Sequence, residues 1–141
     1  MGVWDSIVGK DDVAPPSKGS SNPFNVSIAF APLRLSARAK SSVDLVVKVK
    51  NISSSPHMVS VEALLPRDAM LGFDPACINK GAEKRIGELQ PGDSTETHIT
   101  LWSNNQTKDG TYPIEVSVYS HYISYDKVLS YIKKSTTIRV V

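Results

Sequence analysis

The chain has almost no cysteine: Cys77 stands alone among 141 residues, so no disulfide can form within it. Small secreted β domains often depend on such a staple, and doing without one points to a reducing, cytoplasmic setting. Met1–Lys10 lacks the basic start and the apolar run of an export signal. No window approaches the roughly 18 apolar residues needed to cross a membrane as a helix. Three N-x-S/T sequons begin at Asn25, Asn51 and Asn105. With no export signal they read as turn and strand chemistry.

Charge of one sign is also scarce. Sixteen Lys and Arg against 14 Asp and Glu leave +2, too little to call for a nucleic-acid partner. The closest thing to a basic patch is Lys127, Lys133, Lys134 and Arg139 set against Asp126. Lysines of this kind commonly protect an edge strand from pairing with another chain.

Catalytic and metal-binding patterns are missing as well. His57, His98 and His121 are scattered, Cys77 has no C-x-x-C partner, and no carboxylate cluster has ligand spacing. There is no G-x-S-x-G elbow, P-loop or G-x-G-x-x-G turn. The expectation is a non-enzymatic protein without cofactor or metal, its histidines exposed on strands and its thiol loosely buried.

What is present is β patterning. Residues 11–23 are rich in Pro, Ser, Gly and Asp and form a linker between a short N-terminal segment, 1–10, and a body, 24–141. Phe24, Val26, Ile28 and Phe30 alternate with polar or small residues until Pro32. Leu33–Arg38 then resumes the alternation, as a first strand that switches sheets would. Val43, Leu45, Val47 and Val49 face one way along the clearest strand; Val59, Val61, Ala63 and Leu65 mark the next. Residues 67–82 read as a long connection with at most one short strand. Ile86 and Leu89 lead to a turn at Pro91-Gly92, after which Thr95, Thr97, Ile99 and Leu101 alternate. A polar turn ending at Asp109-Gly110 precedes Tyr112, Ile114, Val116 and Val118. In the last segment Tyr125, Val128, Leu129 and Ile132 sit at helical spacing, while Thr136, Ile138 and Val140 alternate. A long hairpin partner with a bulge near Lys133-Lys134 is favoured over a helix. Seven to eight antiparallel strands with turns at regular intervals give an all-β immunoglobulin-like sandwich preceded by a short amphipathic segment.

Three stretches carry a family resemblance. Val43–Asn51 resembles the V-x-V-x-V-K-N strand of the cell-adhesion-related bacterial (CARDB) and NEW3 domains. Gly87–Ser94 resembles their x-L-x-P-G-x-S turn, and Asp109–Val116 their x-G-x-Y-x-V-x-V strand. The resemblance covers roughly residues 24–141 and implies seven strands in two sheets, with a role in adhesion, spacing or protein binding.

Independently of that resemblance, Tyr112 sits where a tyrosine corner is expected, ring in the core and hydroxyl on upstream backbone, with Gly110 shaping its turn. Pro91 and Gly92 have a similar structural role in theirs.

Two regions remain as candidate contact surfaces. All five tyrosines fall in the last thirty residues, and Tyr119, Tyr122, Tyr125 and Tyr131 can line a binding face, since amphipathic aromatics are favoured at interfaces. Val3, Trp4, Ile7 and Val8 share one face of a helical wheel. Ten residues do not hold a helix alone in water, so such a face commonly docks on a protein or a membrane surface. Residues 1–6 also satisfy the permissive myristoylation pattern M-G-x-x-x-[ST]. The favoured reading is an intracellular protein-interaction or scaffold module. A surface or envelope module for adhesion or carbohydrate, and a peripheral membrane adaptor held by residues 3–8, are the alternatives.

Overall fold

The computed structural model describes residues 22–141. Val3, Trp4, Ile7 and Val8 lie outside the described residues. Nine strands follow in order: β1 (Phe24–Ala31), β2 (Arg34–Leu35), β3 (Ser41–Asn51), β4 (His57–Leu64), β5 (Leu71–Gly72), β6 (Gly81–Leu89), β7 (Ser94–Ser103), β8 (Gly110–His121) and β9 (Val128–Val140). They form a four-stranded sheet, β1-β3-β7-β5, and a five-stranded sheet, β2-β9-β8-β4-β6. The result is an all-β sandwich. Among the described residues no helix is long and apolar enough to cross a membrane.

Alternation along the strands builds the core. Val43, Leu45, Val47 and Val49 of β3 and Ile99 and Leu101 of β7 bury their side chains against Val59, Val61 and Ala63 of β4 and Ile114, Val116 and Val118 of β8. Each such side chain stabilises the fold by about 1.5–3 kcal/mol relative to exposure. That term holds the two sheets together.

Pro32 marks the change of sheet. β1 pairs with β3, the Ala31–Pro32 peptide is cis, and Arg34 and Leu35 then lie parallel to Arg139 and Val140 of β9. The strand count therefore exceeds the seven or eight expected, and the pairing is not wholly antiparallel. Two of the elements are only two residues long: β2 falls within the Leu33–Arg38 segment expected to switch sheets, and β5 is the one short strand allowed for in residues 67–82. The strand that the pattern concealed is β6, at a sheet edge, whose alternation is broken: Ile86 is skipped where β4 shifts register between Val59 and Ser60.

The ambiguous final segment is strand. β8 and β9 form the longest hairpin, and its irregularity lies at Ser120/His121, where Leu129 is the extra residue on β9. The bulge is thus at Leu129 and not at Lys133-Lys134. The displaced residue changes the parity of β9, which is why Val128, Leu129 and Ile132 imitate a helical face.

The lysines of β9 divide. Lys133 pairs loosely with Glu115 at 3.9 Å on the solvent side, while Lys134 Nζ donates to the Val26 carbonyl at 2.9 Å and ties β9 to β1 across the open side of the sandwich.

Candidate functional site

One end of the sandwich is closed by polar bonds. Ser36 N–H donates to Ser41 Oγ, which lies 2.6 Å from Ser103 Oγ; that hydroxyl in turn reaches the Ser36 and Ala39 carbonyls. Thr107 Oγ1 donates to the Met70 carbonyl at 2.5 Å. Lys80 points its ammonium at three carbonyls, of Ala69, Leu71 and Cys77, and so holds the long connection around β5. Tyr112 belongs to this end. Its hydroxyl donates to the Lys108 carbonyl at 2.7 Å while its half-buried ring packs against the core, above Gly110.

The opposite end carries the other turn and the β8–β9 tip. Pro91 and Gly92 occupy the middle of a tight turn in which Asp93 N–H bonds to the Gln90 carbonyl; Gly92 has φ +83°, the second central position of a type II turn. Asn51, wholly buried, fastens that turn to the sandwich by donating to the Leu89 carbonyl at 2.8 Å.

The tip itself is built differently. Residues 122–127 are hydrogen-bonded mainly among themselves: Tyr122 N–H to Lys127 O, Lys127 N–H to Ser124 O, and the Ser124 hydroxyl to the Asp126 carboxylate. That last bond holds the Asp126 carboxyl below its usual range. The side chains displayed are apolar. Tyr122, Ile123, Val128, Leu129 and Tyr131 are all exposed, Ile123 by 70% and Leu129 by 61%. Ile123 also has φ +71°, a left-handed conformation that a β-branched residue adopts only at a cost.

Of the four tyrosines singled out, three join one aromatic cluster on the outer face of the five-stranded sheet. Tyr119 and Tyr131 are cross-strand partners with ring centres 5.8 Å apart. The Tyr119 hydroxyl donates to Glu62 at 3.0 Å, and burial pushes its phenol upward. Tyr125 packs edge-on against His121 at 5.1 Å, and the Arg85 guanidinium lies over the Tyr125 ring, 4.8 Å from its centre. Tyr122 stays apart, exposed at the start of the loop. Beside the cluster lies a shallow depression of about 440 Å³, lined by Met58, Arg85 and Ile123–Asp126.

The histidines correct the expectation of exposure. Only His98 is exposed; Glu96 and Asp44, both hydrogen-bonded to it, raise its pKa. His57 shares the parity of Val59 and points inward, with Nδ1 2.7 Å from Ser120 Oγ, and burial lowers its pKa. His121 has the outward parity of Tyr119, yet the aromatic cluster covers it to 6% exposure. Its Nε2 lies 2.7 Å from Ser60 Oγ, and its Nδ1 has no partner. Both His–Ser pairs lack a carboxylate on the second ring nitrogen, and Ser120 is fully buried. Cys77 is buried, which pushes its thiol up. Among the described residues no group of three or more His, Cys, Asp or Glu side chains is placed to hold a metal.

Sequence reasoning missed Arg85, Met58 and Ile123. Arg85 was hidden by the broken pattern of β6, whereas Ile123 between Tyr122 and Ser124 had no neighbours in register to mark it.

No family model matches the chain, and neither does any curated protein. Similar solved structures include the Pseudomonas fluorescens alkylpurine DNA glycosylase AlkC bound to DNA containing an abasic site analog. It is 11% identical with a TM-score of 0.45, covering 87% of this chain and 32% of that one. The ASH/PapD-like domain of human CEP192 (PapD-like domain 7) is 12% identical with a TM-score of 0.44, covering 94% and 98%. BslA, a bacterial hydrophobin, is 14% identical with a TM-score of 0.39, covering 85% and 98%. The chain thus spans about a third of the glycosylase. Likeness at this level bears on neither partner nor activity.

Proposed function

We propose that this chain is a non-enzymatic protein-interaction or scaffold module of immunoglobulin-like type, and that it makes contact through the β8–β9 tip. One observation carries the reading. Ile123 is at once exposed and held at φ +71°, so it is unfavourable for the fold in two ways. Strain of this kind clusters where a residue is kept for something other than stability. The neighbouring Tyr122, Val128, Leu129 and Tyr131 extend the same apolar surface, and aromatic residues are favoured in the cores of protein interfaces. The resemblance of Val43–Asn51, Gly87–Ser94 and Asp109–Val116 to CARDB and NEW3 domains agrees with a binding module of this architecture.

The test is photo-crosslinking in the native cell from a reactive residue at position 122, with Lys48 on the other sheet as the control position. The proposal expects a discrete protein adduct from 122 that is absent from 48 and lost with Leu129→Glu. Equal adducts from both positions, or none from 122, would remove it.

A further inference from the structure

Open sheet edges invite pairing with another chain, and natural sheets blunt them with charges, bulges, inward-pointing lysines or very short strands. Three of the edges here carry such guards. β6 displays Glu83, Lys84, Arg85 and Glu88 and is interrupted by the register shift opposite Val59. β5 is two residues long. β2 covers β9 at Arg139 and Val140; elsewhere on β9, Lys133 faces water and Lys134 turns inward with the parity of Ile132.

β1, the remaining edge, is guarded over half its length. Ile52 N–H donates to the Pro23 carbonyl, so the odd residues of β1 turn their backbone groups to β3 and the even ones turn theirs to the open edge. The Asn22 side chain satisfies both outward groups of Phe24: Nδ2 donates to its carbonyl at 2.7 Å, and Oδ1 accepts from its N–H at 3.1 Å. Lys134 takes the Val26 carbonyl. Among the described residues nothing does the same for Ile28 or Phe30. Their side chains are half-buried at the rim of the core, and β1 carries no charge from Phe24 to Ala31.

Such an edge is complementary to a second copy of itself. Two-fold pairing joins residue i to residue j and j to i. With the axis at Ala29, Ile28 of each copy meets Phe30 of the other, and each pair exchanges both backbone bonds. Neighbouring registers fail. An axis at Ile28 calls on the Val26 carbonyl that Lys134 holds, and one at Phe30 sets Ile28 against Pro32, which has no N–H. On the core side, Ile28 against Phe30 is a favourable β-branched–aromatic pair. On the outer face Ala29 meets Ala29 with Cα atoms about 4.5 Å apart, the closer of the two antiparallel spacings. Ser27 and Ala31 flank it, and all three are small and exposed.

We infer that this protein forms a two-fold dimer through the edge of β1 at Ile28 and Phe30, joining the four-stranded sheets of two copies into one. The surface is separate from the β8–β9 tip, so a dimer presents two tips.

The mass of the full-length chain, followed by sedimentation through a dilution series, tests this. A dimer is expected, and Ala29→Arg should halve its mass, because like charges then face each other across the axis. Ala29 is exposed, and an unchanged far-ultraviolet circular dichroism spectrum confirms that the sandwich persists. Oxidation reads the register, with the buried Cys77 common to all variants. Ala29→Cys should close a disulfide across the axis, since that Cα separation lies within disulfide range. Ser27→Cys and Ala31→Cys should each fail alone and crosslink when mixed. A monomer at every concentration, a dimer that survives Ala29→Arg, or Ser27→Cys alone crosslinking as fast as Ala29→Cys overturns the inference. A dimer lost with Leu129→Glu and kept with Ala29→Arg would overturn it by placing the second copy on the tip.

Discussion

The two ends of the sandwich solve opposite problems. At the end holding Ser103, Thr107 and Lys80, a chain of hydroxyls and an ammonium satisfy loop carbonyls, and the connection around β5 is pinned against β7. At the β8–β9 tip the loop bonds mainly to itself, its apolar side chains face water, and Ile123 is held in a left-handed conformation. The closed end also shows Leu33 and Ile78 to water and holds Arg38 and Cys77 at positive φ, but there the polar bonds fasten the loops to the sandwich. At the tip, exposure and a left-handed backbone coincide in one β-branched residue, Ile123, among further exposed apolar side chains, and that coincidence marks the proposed contact surface.

The largest effect should come from the closed end. A Cβ on Gly72 would stand 2.3 Å from Cys77 Cα, which is backbone and cannot swing aside. Gly72→Ala is expected to cost about 3 kcal/mol, at the upper end of overpacking effects. Denaturant unfolding measures it, and a near-neutral result would mean the β5 loop is not the rigid cap described. Lys80→Met keeps the aliphatic stem but abandons three carbonyls, for an expected loss of about 2 kcal/mol, the range of bonds to a charged group. Tyr112→Phe removes one bond open to water and should cost about 0.5–1 kcal/mol.

Acid sharpens the comparison from inside the other end. Burial lowers the folded pKa of His57 below the unfolded value near 6.5, so the unfolded chain binds its proton first. The stability that His57 contributes is complete above that value and drains as pH falls through the lowered one. His98 has the opposite sign: its raised pKa favours the folded state at low pH, and the benefit is lost as pH rises through it. Full exposure screens that contribution. A stability–pH curve should therefore fall below about pH 6.5, and His57→Gln should flatten it. A fall unchanged in that variant would assign the acid sensitivity elsewhere.

Much of the scaffold was readable in the residues because strict alternation reports burial. Val43–Val49 and Tyr112–Val118 did so directly, and Pro32 gave away the change of sheet before β2. Parity also held the clue to His57, two residues before Val59, although His98 alone kept the exposure expected of all three histidines. What alternation could not report was anything that interrupts it. The skipped Ile86 concealed β6 and with it Arg85, and the inserted Leu129 disguised the start of β9 as a helix. The tip was half legible: its tyrosines were conspicuous in composition, but Tyr119 turned out tied to Glu62 and Tyr131 while Ile123 took the most exposed place. Positive φ on an exposed β-branched side chain sets Ile123 apart, since Arg38 and Cys77, the other non-glycine residues with positive φ among those described, are not β-branched.

That angle supplies the most direct test of the contrast between the ends. Asn tolerates the left-handed region and water far better than a β-branched apolar residue does. If Ile123 is kept for contact and not for the fold, Ile123→Asn should raise the unfolding free energy by about 0.5–1 kcal/mol, the gain typical of relieving a position kept for function. A fall in stability on that substitution would show Ile123 supporting the sandwich, and would contradict the account.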